Sequence, residues 1–166
     1  MRLLLAAVAA TAAALVELSL VPHLGVAGAY PHPVLVFGVI WTITIGFESG
    51  LAWAFAGGLV LDSLASRPMG VSAFALLLSL GGASLIGRWF VRIRPFAPII
   101  AVPILSLVNS MVLLALLAAT RPPVIAADPV ATFMPGAAYD AVLGLLFGPL
   151  LVSIHDRRVV AERLDW

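Results

Sequence analysis

Few side chains in this chain are suited to chemistry. Three carboxylates, Glu17, Asp62 and Asp140, fall within or at the ends of apolar stretches, and a single Asn, Asn109, sits inside another. An ionisable group in such surroundings asks for a partner, and a proton or ion path gathers several of them at mid-membrane depth. Here Glu17 and Asp140 lie toward the ends of their segments. That placement favours internal helix packing, with each of the two hydrogen-bonded or paired to Arg67 or Arg121, over docking of a partner helix. Asn109 reads as a polar contact between two helices. His23 and His32 flank one turn-rich connection, and no third ligand is spaced to make a metal site with them. The chain has no cysteine, so disulfides, thiolate sites and thiol nucleophiles are excluded. It has no lysine for a phosphate-binding loop, and its serines lack both a G-x-S-x-G turn and a nearby His and Asp pair. No cofactor or catalytic residue is expected.

The segment from Phe55 to Gly70 carries the most information. Gly57 and Gly58 remove side-chain bulk from one helix, and Asp62 follows Gly58 by one turn, at that helix's C-terminal end. A carboxylate there opposes the helix dipole, which is also negative at that end. Two neighbours can offset it: an ion pair with Arg67, or the free N–H groups at the start of the next helix. Pro68 suits a first helical turn, and Gly70 permits close approach. The expectation is a rigid helix–turn–helix hairpin locked by Asp62, displaying a surface for a partner.

The elements that carry these residues follow from composition. Of 166 residues, 63% are hydrophobic and 10% charged, against about 25% charged in an ordinary soluble domain. Mean hydropathy is +1.15. A soluble fold this small leaves too much surface in water to hide such a composition, and disorder needs the opposite balance. The solvent is therefore lipid. The net charge of +1 offers no field for nucleic acid. We expect an all-α polytopic membrane domain of six spans over 3–21, 34–46, 50–64, 69–87, 96–119 and 136–154, filling residues 1–166. The first stretch resembles a secretory signal, but it is long enough to span. The 31 apolar residues from Val34 to Leu64 would make one helix of about 46 Å, too long for the hydrocarbon core, so they are divided at Gly46–Gly50. Residues 121–135, rich in proline, are expected to be an extended loop. Arginine placement supports six spans with both termini inside. Arg2, Arg88, Arg92, Arg94, Arg157, Arg158 and Arg163 then lie inside, and Arg67 and Arg121 outside, as the positive-inside rule requires.

Small residues mark helix-packing faces. Ala9, Ala13 and Glu17 share a face of the first helix, and Gly136, Asp140, Gly144 and Gly148 form a stripe on the sixth. Gly144 and Gly148 make a GxxxG element, which lets two backbones approach closely.

Gly58, Asp62, Pro68, Met69 and Gly70 together resemble a pattern of the rod shape-determining protein MreD family: an apolar helix with Gly, then Asp, then a short link to Pro-Leu-Gly and another apolar helix. Met69 stands where Leu is usual. Pro33 to Trp41 is similar to the family's proline-led second helix. The resemblance implies a non-catalytic component of the bacterial inner membrane, belonging to the cell-elongation machinery and helping to maintain cell shape. It implies a partner, the bitopic protein MreC, and a link between a cytoplasmic actin-like filament and the glycosyltransferase and transpeptidase that build the wall. It also implies a fold similar to the substrate-binding subunits of energy-coupling-factor vitamin transporters. That similarity defines the rival function, a vitamin-binding subunit, for which Ala6, Ala10 and Ala14 resemble a docking face. The inner arginines suit anionic lipid.

Overall fold

The computed structural model describes residues 1–19, 21–23, 25, 29–90, 95–120 and 129–164. Among them are six α-helices: α1 (Arg2–Ser19), α2 (Pro33–Ile45), α3 (Phe47–Leu64), α4 (Val71–Trp89), α5 (Ala97–Thr120) and α6 (Pro129–Leu164). A short 3-10 turn, Val21–His23, follows α1. Four stretches are long and apolar enough to cross a membrane: Arg2–Ser19, Val71–Trp89, Ala97–Thr120 and Thr132–Asp156. Helix α2 is apolar but only 13 residues long, and α3 carries Glu48 and Asp62. Leu4, Val8, Phe55, Phe74, Leu85 and Leu146 are all more than half exposed, an outer surface that water would not tolerate but lipid does.

Helices α2 and α3 are separate, but the break is narrower than the sequence suggests. Only Gly46 leaves the helix, at φ 124°, and α3 begins at Phe47 rather than at residue 50. A single glycine in this conformation reverses the chain. Gly50 stays helical and lies against the Thr42 side chain, with no room for a Cβ. Helix α6 also departs from expectation, because residues 129–135 are its first turns and not an extended loop. Pro129 occupies the first position, where a missing N–H costs nothing, and Pro135 and Pro149 are carried inside the helix. Residues 121–128, with Arg121, lie outside the described residues, as do Arg92 and Arg94 and the side chains of Arg157, Arg158 and Arg163.

Glycine sets the closest contacts. A Cβ on Gly58 would collide with the Ala73 backbone, so α3 and α4 touch main chain to main chain. On α6, a Cβ on Gly144 would lie 2.9 Å from Val102 Cβ, and one on Gly148 2.7 Å from Pro98 Cβ. Gly144 and Gly148 are thus spent on α5 within the same chain, whereas Gly136 faces His32 and Tyr30. On α1 the buried face is Ala6, Ala10 and Ala14, each 0% exposed, not Ala9 and Ala13. Ala10 sits opposite Gly57 of α3.

The helices place the functional groups at two ends. Arg2, Gly46, Glu48 and Arg88 line one cavity, which marks the end where α1 and α3 begin and α2 and α4 finish. Glu17, His32, Arg67 and Ser72 gather at the other end.

Adding a methyl group at Gly58 should destabilise the protein by about 1–3 kcal/mol through overpacking. The same change at Gly81, which has nothing within 4 Å, should be neutral or stabilising by up to about 1 kcal/mol through helix propensity. Melting temperatures of Gly58→Ala and Gly81→Ala in one detergent test the contrast.

Candidate functional site

Helices α2 and α4 both start at the Glu17–His32–Arg67 end, and neither is capped by its own first residues. The residue before α2 is His32, which makes no side-chain cap, and α2 opens with Pro33, which has no N–H. The residue before α4 is Gly70, held in the left-handed region at φ 95°, again without a side-chain cap. The first N–H groups of any helix lack intrahelical acceptors, and in lipid no water replaces them. Carboxylates from three other helices supply the acceptors.

Asp62, near the end of α3 and 0% exposed, receives the Gly70 N–H on Oδ2 at 2.8 Å. Its Oδ1 and Oδ2 share the Ser72 N–H at 2.9 and 3.1 Å. Of the two offsets open in the sequence, the helix N–H groups are therefore the one used. No ion pair joins Asp62 to Arg67 among the described residues. Arg67 donates from Nη1 to Ser72 Oγ at 3.2 Å instead, and its own N–H bonds the Asp62 carbonyl at 3.0 Å. Pro68 is not in the first turn of α4, because Gly70 sets the start of the helix. Pro68 lies in the turn, and its carbonyl accepts the Val71 N–H at 3.3 Å. Ser66 also takes a left-handed conformation, φ 52°. Hydrogen bonds to a charged acceptor contribute about 1.5–3 kcal/mol each, so Asp62 alone fixes this bend firmly.

Glu17, in the last turn of α1, receives the Val34 N–H of α2 on Oε2 at 2.9 Å. Asp140 of α6, also 0% exposed, receives the His32 N–H on Oδ1 at 2.7 Å. Its Oδ2 meets His32 Nδ1 at 2.9 Å and accepts the Ser106 hydroxyl of α5 at 2.5 Å. Thus Glu17 and Asp140 are satisfied, but by Val34, His32 and Ser106 and not by Arg67. The carbonyl of Val34 accepts the Trp53 indole N–H at 2.9 Å, which ties α3 to the same point. His32 was weighed in the sequence only as a metal ligand, and Ser106 and Ser72 gave no signal there. One was available: a proline-led helix preceded by a residue that does not cap needs an acceptor from elsewhere.

His32 has its side chain 37% exposed and lies outside the spans. Burial works against its charged form. The hydrogen bond and charge of Asp140, with the charge of Glu17, outweigh that and the repulsion of Arg67, so its pKa lies above the ordinary 6.5. Among the described residues, no group of three or more His, Asp or Glu side chains is placed to hold a metal.

Gly58, Asp62, Arg67, Pro68 and Gly70 are thus brought together at the α3–α4 bend, whereas Gly57 faces Val34 of α2 and Ala10 of α1. Glu17 and Asp140 join them through the start of α2. Gly144 and Gly148 lie further down α6, against α5, and supply no contact at this end themselves.

In comparisons with known proteins, the family model of rod shape-determining protein MreD matches residues 1–155. No curated protein and no solved structure matches.

Two outcomes follow from this geometry. Asp62→Ala strands the Gly70 and Ser72 N–H groups, and loss of a cap costs about 0.5–2 kcal/mol, more where lipid or packed protein replaces water. It should lower the melting temperature well beyond the effect of Ser63→Ala, an exposed neighbour. For His32, a raised folded pKa means that its stabilisation is complete below pH 6.5 and is lost as pH rises through the folded value. The melting-temperature gap between the wild type and His32→Gln should narrow across that window.

Proposed function

The chain belongs to the rod shape-determining protein MreD family, and from that membership we propose that it is a non-catalytic membrane scaffold of the bacterial cell-elongation machinery. In this reading it sits in the inner membrane and binds MreC. Through MreC it helps to organise the glycosyltransferase and transpeptidase that extend the lateral wall, and so maintains cell shape. The match over residues 1–155 carries the proposal.

The α3–α4 bend is the proposed attachment point. Its main chain is committed to Asp62, which makes it a preorganised surface that loses little entropy on binding. Leu64, Met69 and Phe74 are 54%, 68% and 55% exposed around it, an apolar patch next to a polar turn. With both termini in the cytoplasm, the bend faces the cell exterior. The position of Arg2 and Arg88 at the opposite end supports this orientation.

One observation weighs against a vitamin-binding subunit: Ala6, Ala10 and Ala14, the stripe that would dock a transport partner, are packed inside the bundle.

Co-purification with MreC tests the reading. Met69→Glu, which alters the exposed patch and leaves Asp62 intact, should reduce MreC capture several-fold with no loss of membrane-inserted protein. Asp62→Ala should reduce it as well. Undiminished capture by both variants would contradict the assignment of the bend, and a vitamin retained through purification would contradict the scaffold role.

A further inference from the structure

Two buried side-chain polar atoms among the described residues have no hydrogen-bond partner, Trp41 Nε1 and Asn109 Oδ1, and the second borders the network described above. Asn109 of α5 is 9% exposed, and its side-chain oxygen has no hydrogen-bond partner among the described residues. Leaving such an acceptor unmade costs about 1–3 kcal/mol. Asn109 lines a small cavity of about 60 Å³ together with Glu17, His32, Arg67 and Ser72, closed off by Leu35, Leu61, Leu76 and Leu113. Glu17 bonds through Oε2 only, and Arg67 uses one N–H in its bond to Ser72. Acceptors and donors therefore face one another across a space that the protein does not fill.

Apolar cavities of this kind stay dry, but a polar one holds water when it has room and two to four partners per molecule. About 10–15 Å³ of such space suffices for one water, so this cavity has room for a few. Charge decides between water and a cation. Glu17 and Arg67 line the cavity, with Asp62 bonded to Ser72 beside it and Asp140 bonded to His32. The starts of α2 and α4 each add the equivalent of about half a positive charge. The chamber is thus lined by groups of both signs. An occupant that both donates and accepts then fits best.

We propose that the chamber between the end of α1, the starts of α2 and α4 and the middle of α5 is a binding site for a small cluster of water, which donates to Asn109 Oδ1 and Glu17 and accepts from Arg67. The cluster joins α5 to the capped starts of α2 and α4. It also gives Asn109 Oδ1 a donor within an apolar helix bundle. The site does not depend on which partner the bend binds.

Radiolytic hydroxyl footprinting of the full chain in lipid nanodiscs tests this, because bound water generates radicals in place and oxidises side chains that bulk solvent does not reach. Leu35 and Leu76 border the chamber at 1% and 2% exposure, whereas Leu80, one turn further along α4, is 0% exposed in the dry core. Leu35 and Leu76 should label several-fold faster than Leu80 in the wild type, and Asn109→Leu should bring them toward the Leu80 rate. Equal rates for the three leucines in the wild type would overturn the proposal without recourse to any variant. A melting temperature that rises with sodium or potassium at constant ionic strength would overturn it in favour of a cation.

Discussion

Among the described helices, α2, α3 and α4 begin without side-chain caps of their own, and α2 and α4 do so at the end where the acids gather. The rest of the arrangement depends on that constraint. The N-terminus of α2 is completed by Glu17 of α1 and Asp140 of α6, and that of α4 by Asp62 of α3. Each acid would be expensive in lipid alone, and each helix start would be expensive uncapped. Set together, the two costs offset each other. The dipoles of α2 and α4 also favour the negative charge at the point where it is placed.

Because these caps come from other helices, they are tertiary contacts as well as local ones. Losing one frays a helix start and loosens a helix pair at once. The glycines make the geometry possible. Gly58 brings α3 against the Ala73 backbone, which places Asp62 within reach of the Gly70 and Ser72 amides. Gly144 and Gly148 bring α6 against α5, so that Ser106 and Asp140 meet. The proposed scaffold role needs a surface of constant shape more than it needs reactive groups, and the hydrogen-bonded main chain at this end suits that need. Every acid within it is occupied in holding main chain.

Much of this was legible in the residues. Hydropathy and helix length called for six apolar helices, and the Gly46 break and the hairpin around Asp62 followed from glycine placement and from a carboxylate at the wrong end of a dipole. What was not legible was long-range. Asp140 and His32 lie 108 residues apart, and nothing local in either segment announces the pair. The proline-rich composition of 121–135 suggests extended chain, whereas Pro129 at a first helical position starts α6. Ala9 and Ala13 were grouped with Glu17 by four-residue spacing. The packed stripe is Ala6, Ala10 and Ala14, and Glu17 reaches α2 from three residues beyond it. In an alanine-rich helix several stripes look alike, and only the neighbouring helix selects one.

Amide hydrogen exchange, read residue by residue on the wild-type chain in a bilayer, tests the central claim most directly. If carboxylates from α1, α3 and α6 hold the starts of α2 and α4, the N–H groups of His32, Val34, Gly70 and Ser72 should exchange orders of magnitude more slowly than those of Leu3 and Leu4 in the first turn of α1. Exchange of these four at the rate of Leu3 and Leu4 would mean that the two helices begin unsupported and that the acids serve another purpose.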